Sequence, residues 1–235
     1  MENIADLFLL RKDITFLNFG SFGATPAPIF DAYQNWQRIL EAEPVQYIVF
    51  DGPGYLQTSR EALAKYIGVA DKDDLVFVTN PSFAVNMVAK NFPLQPGDQI
   101  LTTDIEYGAC DRTWEYYCAQ KGAEYVKQKI TLPITSKEKF IEEFFAGITP
   151  KTKAVFISHI TSATALKLPV HEICAIAKQK GLITFVDGAH GPAQTEVDLA
   201  TLQADFYTGA CHKWMMAPKG CSFLYATKAV QPICD

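Results

Sequence analysis

The stretch Val170–His190, VHEICAIAKQKGLITFVDGAH, carries the fold decision in one short segment. Its first half repeats apolar residues at intervals of three and four (Val170, Ile173, Cys174, Ala177), the period of an amphipathic helix, and predicts a helix over 170–180. Lys180-Gly181 then closes that helix, because glycine turns the chain left-handed without a Cβ clash. Leu182 to Val186 is an unbroken apolar, β-branched and aromatic run, as expected of a strand covered on both faces. Helix followed by doubly covered strand is the repeating half of an α/β fold.

Working outward, the same alternation recurs. Strands are predicted at Leu75–Thr79, Gln99–Thr103, Ala123–Lys127, Lys153–Ser158, Asp205–Thr208 and Cys221–Ala226 as well, with helices near Ser82–Asn91, Gly108–Lys121 and Ser136–Phe145. Phe92-Pro93 and Gln95-Pro96-Gly97-Asp98 punctuate the end of the first of these helices. The pattern implies an α/β architecture: a mostly parallel sheet with helices on both faces. Residues 1–50 read differently, with a Gly/Pro-rich opening (Asn18 to Pro28) and a helix from about Ile29 to Glu43, and are expected to form an N-terminal arm and helix.

The composition narrows the function classes. With 235 residues, 49% of them hydrophobic and 20% charged, the chain can bury a large core and is not a disordered or solvating segment. A net charge of −5 with no dense Lys/Arg block argues against a nucleic-acid binder. The six cysteines form no C-x-x-C pair and no small disulfide framework, so reduced thiols and no metal site are expected. No apolar run approaches a membrane span and no signal peptide is visible, which predicts a soluble, cytoplasmic protein.

Mostly parallel sheets bind ligands at the carboxyl ends of their strands, so the residues just after each strand carry the functional information. After the first strand, Asn80 can cap a helix with Pro81 in its first position; the amides of Ser82 and Phe83, the Ser82 hydroxyl and the helix dipole would then make an anion cradle. The same residues also read as an ordinary capped helix. After the second strand, Tyr107 places a ring where it could stack on a planar ligand. His159, Thr161, Ser162 and Thr164 come after the Ser158 strand, either as hydrogen-bonding site residues or as a solvated loop. Asp187 comes straight after an apolar run, with Gly188 allowing close approach; a buried carboxylate needs a partner, and it could equally cap the next turn.

The last strand end, TGACHKWMM (208–216), sets Lys213 among a histidine, an aromatic and two methionines. A lysine in apolar surroundings has its ammonium disfavoured, and the neutral amine is the form that attacks a carbonyl. Snorkelling to solvent is its structural alternative. Together the strand ends offer an anion cradle, a stacking ring, a buried carboxylate and a lysine. Those are the groups needed to hold pyridoxal 5′-phosphate, for its phosphate, ring, ring nitrogen and aldehyde respectively.

At these positions the sequence resembles the class V aminotransferases, fold-type-I pyridoxal-phosphate enzymes, and within them the isopenicillin N epimerase-like branch. The resemblance rests on FLNFGSFGATP (16–26), TNPSFAVN (79–86), IEYGA (105–109), HITSATALKLP (159–169), VDGAHGPAQ (186–194) and DFYTGACHKW (205–214). It implies a fold-type-I large domain over 51–235. It also implies Lys213 as Schiff-base lysine and α-proton base, Asp187 as partner of the pyridine nitrogen and Tyr107 as the stacking ring. Ser82 and Phe83 match the phosphate cradle, His212 precedes the lysine as in family members, and His190 sits where a neighbour of the cofactor's phenolic oxygen is expected. Ser162 falls where cysteine desulfurases carry an asparagine, which favours the epimerase-like branch. So does tyrosine at 107 in place of their histidine, because a phenol with a reference pKa of about 10 is a poorer proton shuttle. Asn18, Ser21 and Phe22 lie on the arm that closes over substrate in the family.

The implied activity is chemistry at the α-carbon of an amino acid or amino-acid-derived substrate, with epimerisation favoured. Transamination, cysteine desulfuration, C–S lysis and cofactor binding without turnover are the alternatives. Family members are homodimers, so a homodimer is implied here. Ala210 departs from the pattern: relatives usually place a serine or asparagine there on the phosphate, and Thr208 or His212 could compensate. The family's smaller C-terminal domain, with its arginine for the substrate carboxylate, is not present in this chain, which ends soon after the lysine strand. A nucleotide-binding oxidoreductase reading of Gly52-Pro53-Gly54 after the apolar run Val45–Phe50 is weak, because Gln57 stands where the fingerprint needs glycine. A serine hydrolase is weaker still, since no G-x-S-x-G elbow occurs.

Overall fold

The structure is a computed structural model that describes residues 4–234. Seven strands, β1 (Leu75–Val78), β2 (Gln99–Thr103), β3 (Glu124–Gln128), β4 (Thr152–Ser158), β5 (Ile183–Gly188), β6 (Phe206–Ala210) and β7 (Ser222–Ala226), form one sheet in the order β1-β7-β6-β5-β4-β2-β3. Every predicted strand is present. β6, β5, β4, β2 and β3 run parallel, whereas β7 is antiparallel to both of its neighbours. The chain between β6 and β7 contains no helix, so it returns without the crossover that a parallel neighbour requires.

The helices are α1 (Phe19–Phe22), α2 (Ala27–Ala42), α3 (Gly52–Tyr66), α4 (Pro81–Asn91), α5 (Gly108–Gln120), α6 (Lys137–Phe145), α7 (Val170–Gln179) and α8 (Leu199–Leu202). Adjacent residues of the central strands enter opposite cores. Ile100, Phe156, Phe185 and Phe206 pack with Val85 and Val88 of α4 and Trp114 of α5, while Leu101, Val155, Val186 and Tyr207 pack with Leu63 of α3, Phe144 of α6 and Ile173 of α7. This period-two split is why the strands read as continuous apolar runs.

The apolar run Val45–Phe50 is not a strand. Residues Gln46–Asp51 form a π-helical turn that runs directly into α3, with Gly52-Pro53-Gly54 in that helix's first turn. A phosphate-binding loop needs a strand before its glycines, so the oxidoreductase reading fails on geometry. Among the described residues no disulfide is formed, and no helix is long and apolar enough to cross a membrane.

Candidate active site

The carboxyl ends of β1, β2, β4, β5 and β6 surround a cavity of about 350 Å³. Of the expected site residues, Ser21, Phe22, Ser82, Tyr107, Ser162, Asp187, His190, His212 and Lys213 line it; Asn80, Pro81, Ser158, Ile160 and Ala189 complete the wall. Asn18 and Phe83 are not part of the lining.

Each of those two exceptions has a local cause. Asn18 caps the one-turn α1, its side-chain oxygen accepting from the Ser21 N–H at 3.1 Å, and so shapes the arm rather than facing the cavity. Asn80 caps α4 as its sequence predicts, and the donor it satisfies is the Phe83 N–H at 2.8 Å. The Phe83 amide is therefore spent on the cap, which corrects its expected place in the anion cradle. Ser82, at the second position of α4, keeps its amide and hydroxyl at the positive end of the helix dipole.

Asp187 ends β5, in register with Ser158 on β4 and Thr208 on β6. Its Oδ1 accepts from the Ala189 N–H at 2.9 Å and the Cys110 thiol lies 3.5 Å from Oδ2, but no arginine or lysine pairs with it among the described residues. Burial raises its pKa above the ordinary carboxylate range. An underpaired carboxylate at 4% exposure that still lines a cavity fits a cationic N–H donor. Burial also lowers the Lys213 pKa, with Asp187 acting in the opposite sense.

The loop after β4 sorts itself by hydrogen bonding. His159 Nδ1 pairs with the Tyr207 hydroxyl at 3.1 Å below the sheet end, and Thr161 Oγ1 pairs with Thr164 Oγ1 at 2.7 Å while accepting from Leu166 N–H. These three hold the loop, and Ser162 is the one that reaches the cavity. Ala210 is buried on β6, outside the lining; Thr208 is spent on the Phe223 carbonyl at 2.8 Å, whereas His212 lines the cavity.

Two features escaped the sequence reading. Glu106 accepts from the Ser158 N–H at 2.9 Å, from the Ser158 hydroxyl and from Thr103 Oγ1 at 2.7 Å, next to Asp187. Burial, with the Asp187 charge added, pushes its pKa up to about 7. The readable signal was a second acidic residue beside Tyr107 at a strand end. The other is the arm's seat: a Cβ on Gly23, whose φ is +66°, would lie 2.3 Å from the His212 carbonyl oxygen and 2.5 Å from that of Lys213. Only glycine lets the arm approach the lysine's backbone so closely.

The Aminotransferase class-V family model matches residues 54–233. The chain belongs to the class-V aminotransferase family. It is 38% identical over 226 residues to isopenicillin N epimerase of Amycolatopsis lactamdurans, covering 95% of this chain and 56% of that protein. It is 31% identical to putative L-cysteine desulfhydrase 1 of Oryza sativa subsp. japonica, covering 90% of this chain and 47% of that one. The chain thus spans about half the length of the curated relatives it matches. Among solved structures, the cystine C-S lyase C-DES in complex with its reaction product cysteine persulfide superposes with a TM-score of 0.84 at 24% identity, covering 94% of this chain and 59% of that one. The E. coli cysteine desulfurase CsdA gives 0.81 at 24%, covering 97% and 58%. At that identity the likeness is one of fold.

Proposed function

We propose that this chain supplies the cofactor site of a pyridoxal-phosphate enzyme that acts at the α-carbon of an amino acid or amino-acid-derived substrate, with epimerisation as its reaction. The observation that carries this reading is the cavity that holds both Lys213 and the underpaired Asp187. Pyridoxal phosphate, when bound, supplies an electron sink for the negative charge that develops at the α-carbon. Asp187 would keep a proton on the ring nitrogen, Tyr107 would cover the ring, and Ser82 with the α4 N-terminus would hold the phosphate; His212 lines the same cavity. Lys213 would bind the aldehyde and, once the substrate amine has displaced it, its freed amine would take the α-proton. Ser21 and Phe22 of the arm close the substrate side and exclude water.

Epimerisation over elimination is supported by the 38% identity to isopenicillin N epimerase. C–S lysis is the second reading, supported by the 31% identity to a desulfhydrase. A homodimer is part of the proposal; Trp36, Ile48, Val49, Phe50 and Leu56 are exposed apolar side chains of the N-terminal segment and α3 that a second copy would cover.

Visible spectra of the full-length protein with added pyridoxal phosphate, before and after borohydride, test the cofactor assignment. Wild type should develop a visible band that borohydride fixes covalently and Lys213→Ala should not; a wild type that takes up none overturns the reading. α-Proton exchange into D₂O without sulfide release supports epimerisation, and sulfide from cysteine supports the lyase.

A further inference from the structure

Two hydrogen bonds meet on one imidazole. Trp214 Nε1 donates to His190 Nδ1 at 3.2 Å, and His190 Nε2 lies 3.3 Å from Lys213 Nζ. An indole N–H is a donor with no lone pair to offer, so His190 Nδ1 accepts and carries no proton. A neutral imidazole with a bare Nδ1 carries its hydrogen on Nε2, the atom that faces the lysine. That N–H can only donate. Its partner must bring a lone pair, which an amine has and an ammonium lacks.

We propose that Trp214 is a positioning residue: its indole N–H locks His190 in the Nε2–H tautomer, and the locked imidazole donates one way to Lys213 Nζ, favouring the neutral amine. The rings are held for this task. Trp214 stacks on Phe19 of the arm at 6.1 Å between centroids, and a Cβ on Gly20 would lie 3.2 Å from His190 Cε1 and 3.6 Å from Trp214 Cζ2, so the arm packs on both. Protonating His190 would set an Nδ1–H against the indole N–H, and burial, with the Lys213 charge added, in any case pushes the imidazole down to about 4. Asp187 on β5 faces Lys213 and favours the ammonium, while the Cys110 thiol on α5 is held neutral by burial. The donor chain from Trp214 therefore opposes the carboxylate and acts in the same direction as burial, which lowers the Lys213 pKa.

The inference rests on Lys213 being the carbonyl-attacking amine, but the tautomer belongs to His190 and is measured without turnover. In the ¹⁵N-labelled full-length protein, cleared of bound carbonyl compounds, the His190 ring nitrogens are assigned by their loss in His190→Gln. A protonated Nε2 with a bare Nδ1 is expected; a protonated Nδ1 in the unmutated protein overturns the proposal. The second arm is competitive acetylation of Lys213 by acetic anhydride across pH, read by peptide mass spectrometry. Trp214→Phe keeps the ring and removes the donor. It should shift the Lys213 profile to higher pH and slow labelling near neutrality about three- to tenfold, the worth of one hydrogen bond. In a His190→Gln background the same substitution should change nothing. An unchanged profile, or an equal slowing in both backgrounds, also overturns it, whatever the cofactor spectra show.

Discussion

The Ser158 backbone N–H donates to Glu106 Oε2 at 2.9 Å, which ties the turn after β2 to the end of β4 beside Asp187. A carboxyl raised to about 7 from an ordinary 4.5 binds its proton more tightly in the folded state than in the unfolded chain. Its contribution therefore favours folding at low pH and is lost as pH rises from about 4.5 through 7. Relative to Glu106→Gln, wild type should lose up to roughly 3 kcal/mol of stability over that window. Urea midpoints at acidic and mildly alkaline pH measure it, and parallel pH curves would show that Glu106 titrates normally.

Glu106 also marks where sequence reading stops. The seven strands were legible because β-branched and aromatic runs such as the one within Lys153–Ser158 feed both cores. The antiparallel course of β7 was not, since direction depends on a connection that carries no propensity signal. Helix α3 was hidden by its Gly-Pro-Gly opening and by Tyr47–Phe50, a run with strand propensity that forms an exposed π-helical turn instead. At the site, residue types at strand ends located Asp187 and Lys213. Which amide of α4 stays available depended on the Asn80 rotamer, and the importance of Glu106 on a partner 52 positions away.

Lys213 carries a cost in stability, because burial disfavours its ammonium. Below the unfolded lysine pKa the unfolded chain holds that proton more tightly, so the penalty is present at neutral pH. Lys213→Met keeps the apolar stem and removes the charge. It should abolish cofactor uptake and raise the thermal midpoint by a few degrees in calorimetry without ligand; a lowered midpoint would mean that the lysine is a structural element.

Gly188 was expected to allow a close approach beside Asp187, and the group that takes the space is Tyr207. A Cβ there would lie 2.0 Å from Tyr207 Cζ and 2.1 Å from its hydroxyl oxygen, in a fully buried ring. Gly188→Ala should cost about 1–3 kcal/mol or more as an overpacking substitution. Adding Tyr207→Leu, whose shorter side chain does not reach that space, should recover part of the loss in a double-mutant cycle. Strict additivity of the two changes would rule out this packing as the reason for the glycine.

Gly23 gives the arm its position over the lysine, with Thr25 Oγ1 donating to the Ala217 carbonyl at 3.2 Å just beyond it. Alanine at 23 meets two penalties: a backbone at φ +66° and ψ 177° that is essentially confined to glycine, worth roughly 1–3 kcal/mol by itself, and a methyl group driven into the His212 and Lys213 carbonyls. The arm carries few of the core contacts, and residues 4–22 include no buried side chain. Gly23→Ala should therefore leave the global unfolding midpoint nearly unchanged while lifting Ser21 and Phe22 from the cavity. Substrate KM should rise about tenfold, as 1.4 kcal/mol predicts, with faster amide hydrogen exchange confined to residues 16–25. A large drop in global stability with KM unchanged would show instead that the arm serves the fold and not the site.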